Sequence, residues 1–527
     1  MVVLSRALAL ASVVFAVFVA SSLLPSVQID REARTLAYLH HDPILVTNNS
    51  FGLFPGAGSA SDPYVIEDME IDGDGLWMSP TVPCIEIRDS DAHFVIRNNH
   101  LRWNGVSGLG VELERCSNGT IENNTVDHIY LGMWILDSNN CSVRGNSIST
   151  SGGQEEMGLF LLNSRQCSVW GNTFHSNGVI VCGDLLVNVI TNDIESNNTV
   201  NGLPIVFVKN QENFLLDNIV AGQVLVANCE NFTISNLSIS DVDSGVALYF
   251  VSNVTVENLQ ITRTNWDAMA IYNSTELVIR FNHLYSNGYN GMTFYNVKGA
   301  EVSCNLMEEN WPSGIASMFN SSGLIAFHNN LINNSEQIWG GMTLDAGYPT
   351  GGNYYSDYSG QDMMSGPDQD ITGPDGIGDV PYMNASYEYP SQRDRYPLME
   401  RFDSWPRAVF NVSESSSIVD NTLIFNASSC WDLGEQSSAL SVRWDFNDDG
   451  VWEIDWRTEK TAQWQYSEQG SYTVRLEVRD SHGLTNNTTM RIEIIDPSIP
   501  EFTSPLVPIV SVMFLVAVVV RRRLRRR

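Results

Sequence analysis

The chain has 527 residues, 43% hydrophobic and 17% charged. That hydrophobic share excludes a largely disordered chain, and the length allows several domains or one long repeat array with extras. Acidic residues outnumber basic ones 61 to 29, and six of the Arg stand in the terminal Arg-Arg-Arg-Leu-Arg-Arg-Arg, so the body repels nucleic acid and anionic membrane and no nucleic-acid partner is expected.

One basic residue, Arg6, precedes an apolar run over residues 7–24 that passes through the small residues Ala20, Ser21 and Ser22. Residues 1–25 therefore read as a secretory signal peptide, with an uncleaved N-terminal anchor as the alternative. Sixteen Asn-x-Ser/Thr sequons fit export. Possible glycan acceptors include Asn118, Asn140, Asn231, Asn253, Asn320, Asn411 and Asn426.

A repeat fills the middle of the chain. It reads Val95-Ile-Arg-Asn-Asn-His-Leu101, Thr120-Ile-Glu-Asn-Asn-Thr-Val126, Ser142-Val-Arg-Gly-Asn-Ser-Ile148 and Ser168-Val-Trp-Gly-Asn-Thr-Phe174, and returns as Thr233-Ile-Ser-Asn-Leu-Ser-Ile239 and Thr255-Val-Glu-Asn-Leu-Gln-Ile261. The apolar second residues run Ile96, Ile121, Val143, Val169, Ile190, Leu216, Ile234, Val256, Ile279, Val302 and Ile325, ten steps over 229 residues with single steps of 18 to 26. Alternating strings too short to close a sheet alone, repeated about every 23 residues, describe a solenoid whose turn holds three short strands: a right-handed parallel β-helix over residues 40–400, of about 11–13 rungs. Asn99, Asn124, Asn146, Asn172 and Asn282 recur at one position. They read as turn structure, tolerant of left-handed backbone and able to bond the same amide one rung away.

Chemistry is sparse along these rungs. Asp241 and Arg263 lie seven residues after their markers and should be rung neighbours, with Asp243, Trp266 and Asp267 in the same pair of turns. They are the catalytic candidates: carboxylates and a cation as a sugar site requires, against a plain surface salt bridge. Trp266 and Trp311, among six Trp in the repeats that include Trp103, Trp134, Trp170 and Trp339, offer sugar-stacking faces. Cys141 and Cys167 share a register in adjacent turns, so a disulfide or stacked thiols are both open. No serine-hydrolase elbow, His-Glu-x-x-His or phosphate-binding Gly loop occurs, and no C-x-x-C. No cofactor is required by these residues; Ca²⁺ is the one ion they could use.

Residues 405–496 carry a different pattern: about 90 residues of short alternating strands with turn signals, a β-sandwich. Asp445-Phe-Asn447-Asp-Asp449-Gly450-Val-Trp-Glu453 begins like a calcium loop, but Trp456 stands where an EF-hand needs its bidentate Glu. A looser site on Asp445, Asn447, Asp449 and Glu453, or an acidic turn, remains. Asp368, Asp370, Asp375 and Asp379 form a similar acidic loop. Residues 497–520 end in an apolar run of about 28 Å as a helix, a transmembrane or sorting segment, and residues 521–527 form a cytoplasmic Arg tail.

Three resemblances follow from these strings. Ser61-Asp-Pro-Tyr-Val-Ile-Glu67, the Ile-x-Asn-Asn-x-Leu strings, Gly352-Asn-Tyr-Tyr-Ser-Asp-Tyr358 and Asp375-Gly-Ile-Gly-Asp-Val-Pro-Tyr382 resemble NosD-like proteins, within the pectate-lyase-like group of carbohydrate-binding proteins and sugar hydrolases. That name is also tied to copper-enzyme maturation, but no Cys/His/Met cluster here suits copper. Phe425-Asn-Ala-Ser, Trp444-Asp-Phe-Asn and Val478-Arg-Asp-Ser-His-Gly resemble the PKD domain, which implies an immunoglobulin-like spacer or binding module. Ile499-Pro-Glu-Phe before the last apolar run resembles archaeal PEF-type sorting signals, which implies a sortase-like enzyme as an alternative to a plain anchor.

The all-β chain is thus expected to be a membrane-anchored extracellular surface protein. Its β-helix would bind glycans or neighbouring surface-layer proteins, with the PKD-like domain as spacer. The alternatives are a polysaccharide lyase, epimerase or glycosidase, and a structural envelope component. A fold that hosts all of these does not choose between them.

Overall fold

The computed structural model describes residues 39–73, 82–103, 108–150, 156–383, 392–403 and 405–495. The N-terminal signal or anchor and the C-terminal segment with its Arg tail lie outside the described residues. Among those described, no helix is long and apolar enough to cross a membrane.

Short strands stack in register to form a right-handed β-helix of about 11 turns. One long sheet of 14 strands runs the length of the solenoid, and four sheets of 6 strands complete its other faces, two beside each half. Inward residues form continuous ladders, for example Ile96 on Ile121 and Val143 on Val169. All are fully buried, so each contributes roughly 1.5–3 kcal/mol of transfer free energy.

The solenoid is two coils, not one. Strand Thr199–Val200 turns through Asn201 and Gly202, both at positive φ, and pairs antiparallel with Leu203–Lys209. Both central residues of a type I′ two-residue hairpin need that left-handed geometry, which Asn-Gly supplies. The long sheet continues, but its strands now run the other way. A right-handed coil can be kept after such a reversal only if the second coil lies on the opposite side of the shared sheet.

The register carries this out. In the first coil the inward column of the shared sheet is Ile71, Leu101, Val126, Ile148, Phe174 and Val200. Val200 stands across from Leu203, and residues paired across share one side. Ile205 and Leu225 therefore continue Val200's side. The second coil's core uses the alternate residues: Val224, Val226, Val246, Leu248, Met269 and Ile271. What was interior for the first coil is exterior for the second. Ile205 and Leu225 are nonetheless fully buried, because the end of the first coil sits on them.

The recurring Asn are inside the coils rather than at its left-handed corners. Positive φ falls one residue earlier, at Asn98, Asn123, Gly145 and Gly171. Each following Asn is buried and donates its amide to the next: Asn99 to Asn124 to Asn146 to Asn172 to Asn198, at 2.8–3.0 Å. A second ladder joins Asn282, Asn305, Asn329 and Asn353 at 2.8–2.9 Å. It ends on the buried Asp394, whose carboxylate accepts the Asn353 N–H at 2.7 Å in place of a further Asn. The ladder expected at Ile190 passes instead through Ile194, because a short helix, Val187–Ile190, is inserted in that turn. Likewise Ala326, not Ile325, continues the column after Val302.

The coils end at Tyr354–Tyr355, and residues 356–383 and 392–403 close the end with loops and two small antiparallel pairs. A sandwich of a 3-stranded and a 5-stranded sheet follows, packed around Phe425, Trp444, Phe446 and Leu476. It docks on the last turns of the second coil through Trp431 and Leu433 against Leu306 and Ile332. There the buried Asn330 amide donates to the carbonyls of Phe402 and Leu433.

Candidate functional site

The exchange of sides creates a groove. One wall is the outer surface of the first coil's last turns, where Phe160 and Ile180 pair in register. The other is the outer surface of the shared sheet, where Tyr249, Tyr272 and Tyr295 stack on successive rungs at 5.1 and 4.6 Å and Phe319 extends the row at 5.8 Å. The groove encloses about 730 Å³, a volume typical of ligand clefts. Asp184, Trp266 and Asp267 also line it.

The tyrosine faces are spent on one another, at interplanar angles of 7° and 4°. The ladder therefore offers the groove phenol edges, and only its terminal ring, Phe319, 71% exposed, has a free face. Trp266 is half-buried and leans on Tyr289 at 5.0 Å. Trp311 is exposed but does not line this groove.

Asp267 is the groove's buried acid. Its Oδ1 accepts from the Thr293 hydroxyl at 2.6 Å, the Asn290 side-chain amide at 3.0 Å and the Asn290 backbone at 3.3 Å. Oδ2 meets only the Tyr295 hydroxyl, at 3.5 Å. Burial pushes this carboxyl up to about 6, against the pull of those donors. Asp184 is exposed on the same groove.

The other catalytic candidates separate. Asp241 and Arg263 are rung neighbours, joined by two hydrogen bonds at 2.8 and 2.7 Å. Both stand on left-handed corners, with side chains 38% and 58% exposed, and Arg263 holds the Asp241 carboxyl below its usual range. This is a surface ion pair. Asp243, two residues on, is completely buried at the seam. Its Oδ2 accepts the N–H groups of Gly158 and Gly178, both at 2.9 Å, so it closes the open end of the first coil. Gln223 does the same for Val179, accepting its N–H and donating to its carbonyl at 3.0 Å. A sheet edge leaves such groups unpaired unless something caps them. Asp243 is thus a cap at this seam, away from Asp241 and Arg263 with which its spacing groups it.

Of the two alternatives for Cys141 and Cys167, this structure has the stacked thiols. Cys141 and Cys167 are free buried thiols that touch on adjacent turns. In-register parallel rungs hold Cβ atoms about 4.8 Å apart, beyond the 3.5–4.5 Å a disulfide prefers. Of the sequon residues, Asn140, Asn253, Asn320 and Asn411 are exposed, and Asn118, Asn231 and Asn426 half-buried.

Two carboxylate clusters in and beside the sandwich could hold a hard cation. Asp445, Asp449 and Glu453 bring ligand oxygens within 4.8 Å of one another. The loop's own amides already use much of this set: Asp445 accepts from Gly450 at 2.9 Å and Glu453 from Phe446 at 2.8 Å, while Asn447 donates to Asp449 at 2.9 Å. The second cluster, Asp403, Asp480 and His482, is equally tight and spans 77 positions or more of chain, too far for any spacing motif to show. Asp432 stands beside it, pushed up to about 7 by burial and by Asp403 and Asp480. Oxygens of Asp403, Asp432 and Asp480 are buried there without a hydrogen-bond partner, which fits the oxygen-rich sets that calcium takes. The Asp368–Asp379 loop forms no such cluster among the described residues; Asp375 and Asp379 accept backbone N–H groups instead.

Comparison with known proteins agrees with this architecture. Residues 83–224 and 177–336 match the right handed beta helix region family, and residues 407–494 match the PKD domain family. No curated protein matches the chain. Among solved structures, a carbohydrate-binding module of the β-sandwich superfamily is 31% identical over 18% of this chain and 36% of its own, with a TM-score of 0.16. The PKD1 domain of Vibrio anguillarum Epp is 26% identical over 18% of this chain and 99% of its own, with a TM-score of 0.13. The A-module of the Azotobacter vinelandii mannuronan C-5 epimerase AlgE6 is 15% identical over 58% of this chain and 87% of its own, with a TM-score of 0.21. The chain therefore carries a right-handed β-helix region followed by a PKD domain.

Proposed function

We propose that this is an extracellular carbohydrate-binding protein whose ligand lies in the groove between the two coils. The single observation that carries the reading is the groove itself: apolar and aromatic walls with a few convergent polar groups, the composition of a ligand cleft. The apolar runs at residues 7–24 and 502–520 support export and anchoring at the cell surface, with the sandwich as a docked spacer. Binding rather than turnover is favoured because no Lys, Arg or His is among the described residues lining the groove, so a lyase or epimerase would lack its charge neutraliser. The presence of two carboxylates, Asp184 and Asp267, in one groove favours a glycosidase as the second reading.

A glycan array with the whole chain, followed by product analysis on every hit, tests this. Binding without bond cleavage, lost on Phe319→Ala, is expected. Cleavage lost on Asp267→Ala would replace the binding reading with the hydrolase one, and silence on the array would remove both.

A further inference from the structure

Charge selects within the carbohydrates. The described lining of the groove holds two carboxylates, Asp184 and Asp267, and no cationic side chain. Near it, the ammonium of Lys298 donates to the carbonyl of the lining residue Asn320 and keeps its single positive charge, against two carboxylates in the lining. The chain as a whole carries a net charge of −32, so its overall field favours cations over anions.

Asp267 adds a directional feature. Three donors satisfy its Oδ1, whereas Oδ2 has only the long 3.5 Å contact with Tyr295. A carboxylate oxygen with spare lone pairs in a cleft is a poor neighbour for a uronate, which would place like charge beside it. A neutral sugar would cover it without a counter-charge, at a desolvation cost. A protonated amine supplies both the charge and up to three N–H donors. The free face of Phe319 can take the apolar face of a sugar ring or the cation itself.

We propose that the groove selects glycans bearing free amines, such as a polymer of deacetylated hexosamine, with Asp267 and Asp184 as the counter-charges and Phe319 as the platform. This rests on the reading of the groove as a carbohydrate site.

The test is titration calorimetry of the whole chain with glucosamine oligomers, their N-acetylated counterparts and oligouronates of equal length. The free-amine oligomer is expected to bind about tenfold or more tightly than the other two. That advantage should vanish on Asp184→Asn, an exposed change that leaves the fold alone, and on Asp267→Asn. Equal or tighter binding of the N-acetylated or uronate oligomer, still lost on Phe319→Ala, overturns the amine selection and leaves the groove as a glycan site. No binding by any of the three overturns both.

Discussion

The two coils are written in the same repeat and assembled differently. In the first, the string from Ile96 to Leu101 runs from an outer face into the shared sheet, where Leu101 stacks on Val126. In the second, the equivalent string from Ile234 to Ile239 runs between the two faces away from it. Sequence periodicity therefore specifies the turn of a coil, not where the next coil sits. That placement comes from one two-residue hairpin, Asn201-Gly202, and from the polar groups that close the seam behind it. The groove exists because the phase is broken there; an unbroken solenoid would bury no such corner.

Four changes probe the comparison between seam and repeat. The largest effect is expected from Asp243→Ala. It leaves the buried N–H groups of Gly158 and Gly178 unpaired, at roughly 1–3 kcal/mol each, and should lower the denaturant midpoint for the whole solenoid. Asp243→Asn should act on pH dependence instead. Burial, with Glu156 adding to it, pushes Asp243 from 3.8 up to about 7. A folded value above the unfolded one means the folded chain holds more protons in that window. The contribution is fully present below about 3.8 and is lost as pH rises through about 7. The Asn side chain keeps an acceptor and removes the titration, so unfolding midpoints measured from pH 5 to 8 should fall less steeply with pH than in the parent.

Gly202→Ala comes next. Gly202 has φ 83° and open space around its Cα, so the cost is the strain of a left-handed residue, roughly 1–2 kcal/mol, readable as a thermal shift. The smallest effect is expected from Asp241→Ala. It removes an exposed ion pair, worth about 0–1 kcal/mol, although it lies only two residues from the seam cap. If Asp241→Ala and Asp243→Ala destabilise equally, the distinction between corner and seam fails.

Much of this was legible from the residues. The repeat announced the solenoid, the Asn series offered amides able to bond one rung away although it read as turn structure, and equal spacing from their markers put Asp241 beside Arg263. The opposite fates of Asp241 and Asp243 were not legible, because both fall on one turn and their difference depends on a surface 65 or 85 residues away, at Gly178 and Gly158. The insertion was visible only as uneven steps around Ile190 and Leu216, where Ile194 takes the inward place. Asp403, Asp432 and Asp480 could not have been gathered by spacing, since the linker and two loops of the sandwich bring them together. The groove was invisible for the same reason: Phe160 and Tyr272 belong to different coils, and no periodicity relates them.

The most direct test of a ligand site at this seam is amide hydrogen exchange of the whole chain with and without saturating glucosamine oligomer. Added protection is expected on both walls at once, in Val179–Cys182 of the first coil and in Met269–Tyr272 and Met292–Tyr295 of the second, with none in Ile85–Arg88. Protection confined to one coil, or centred on another face, would contradict it.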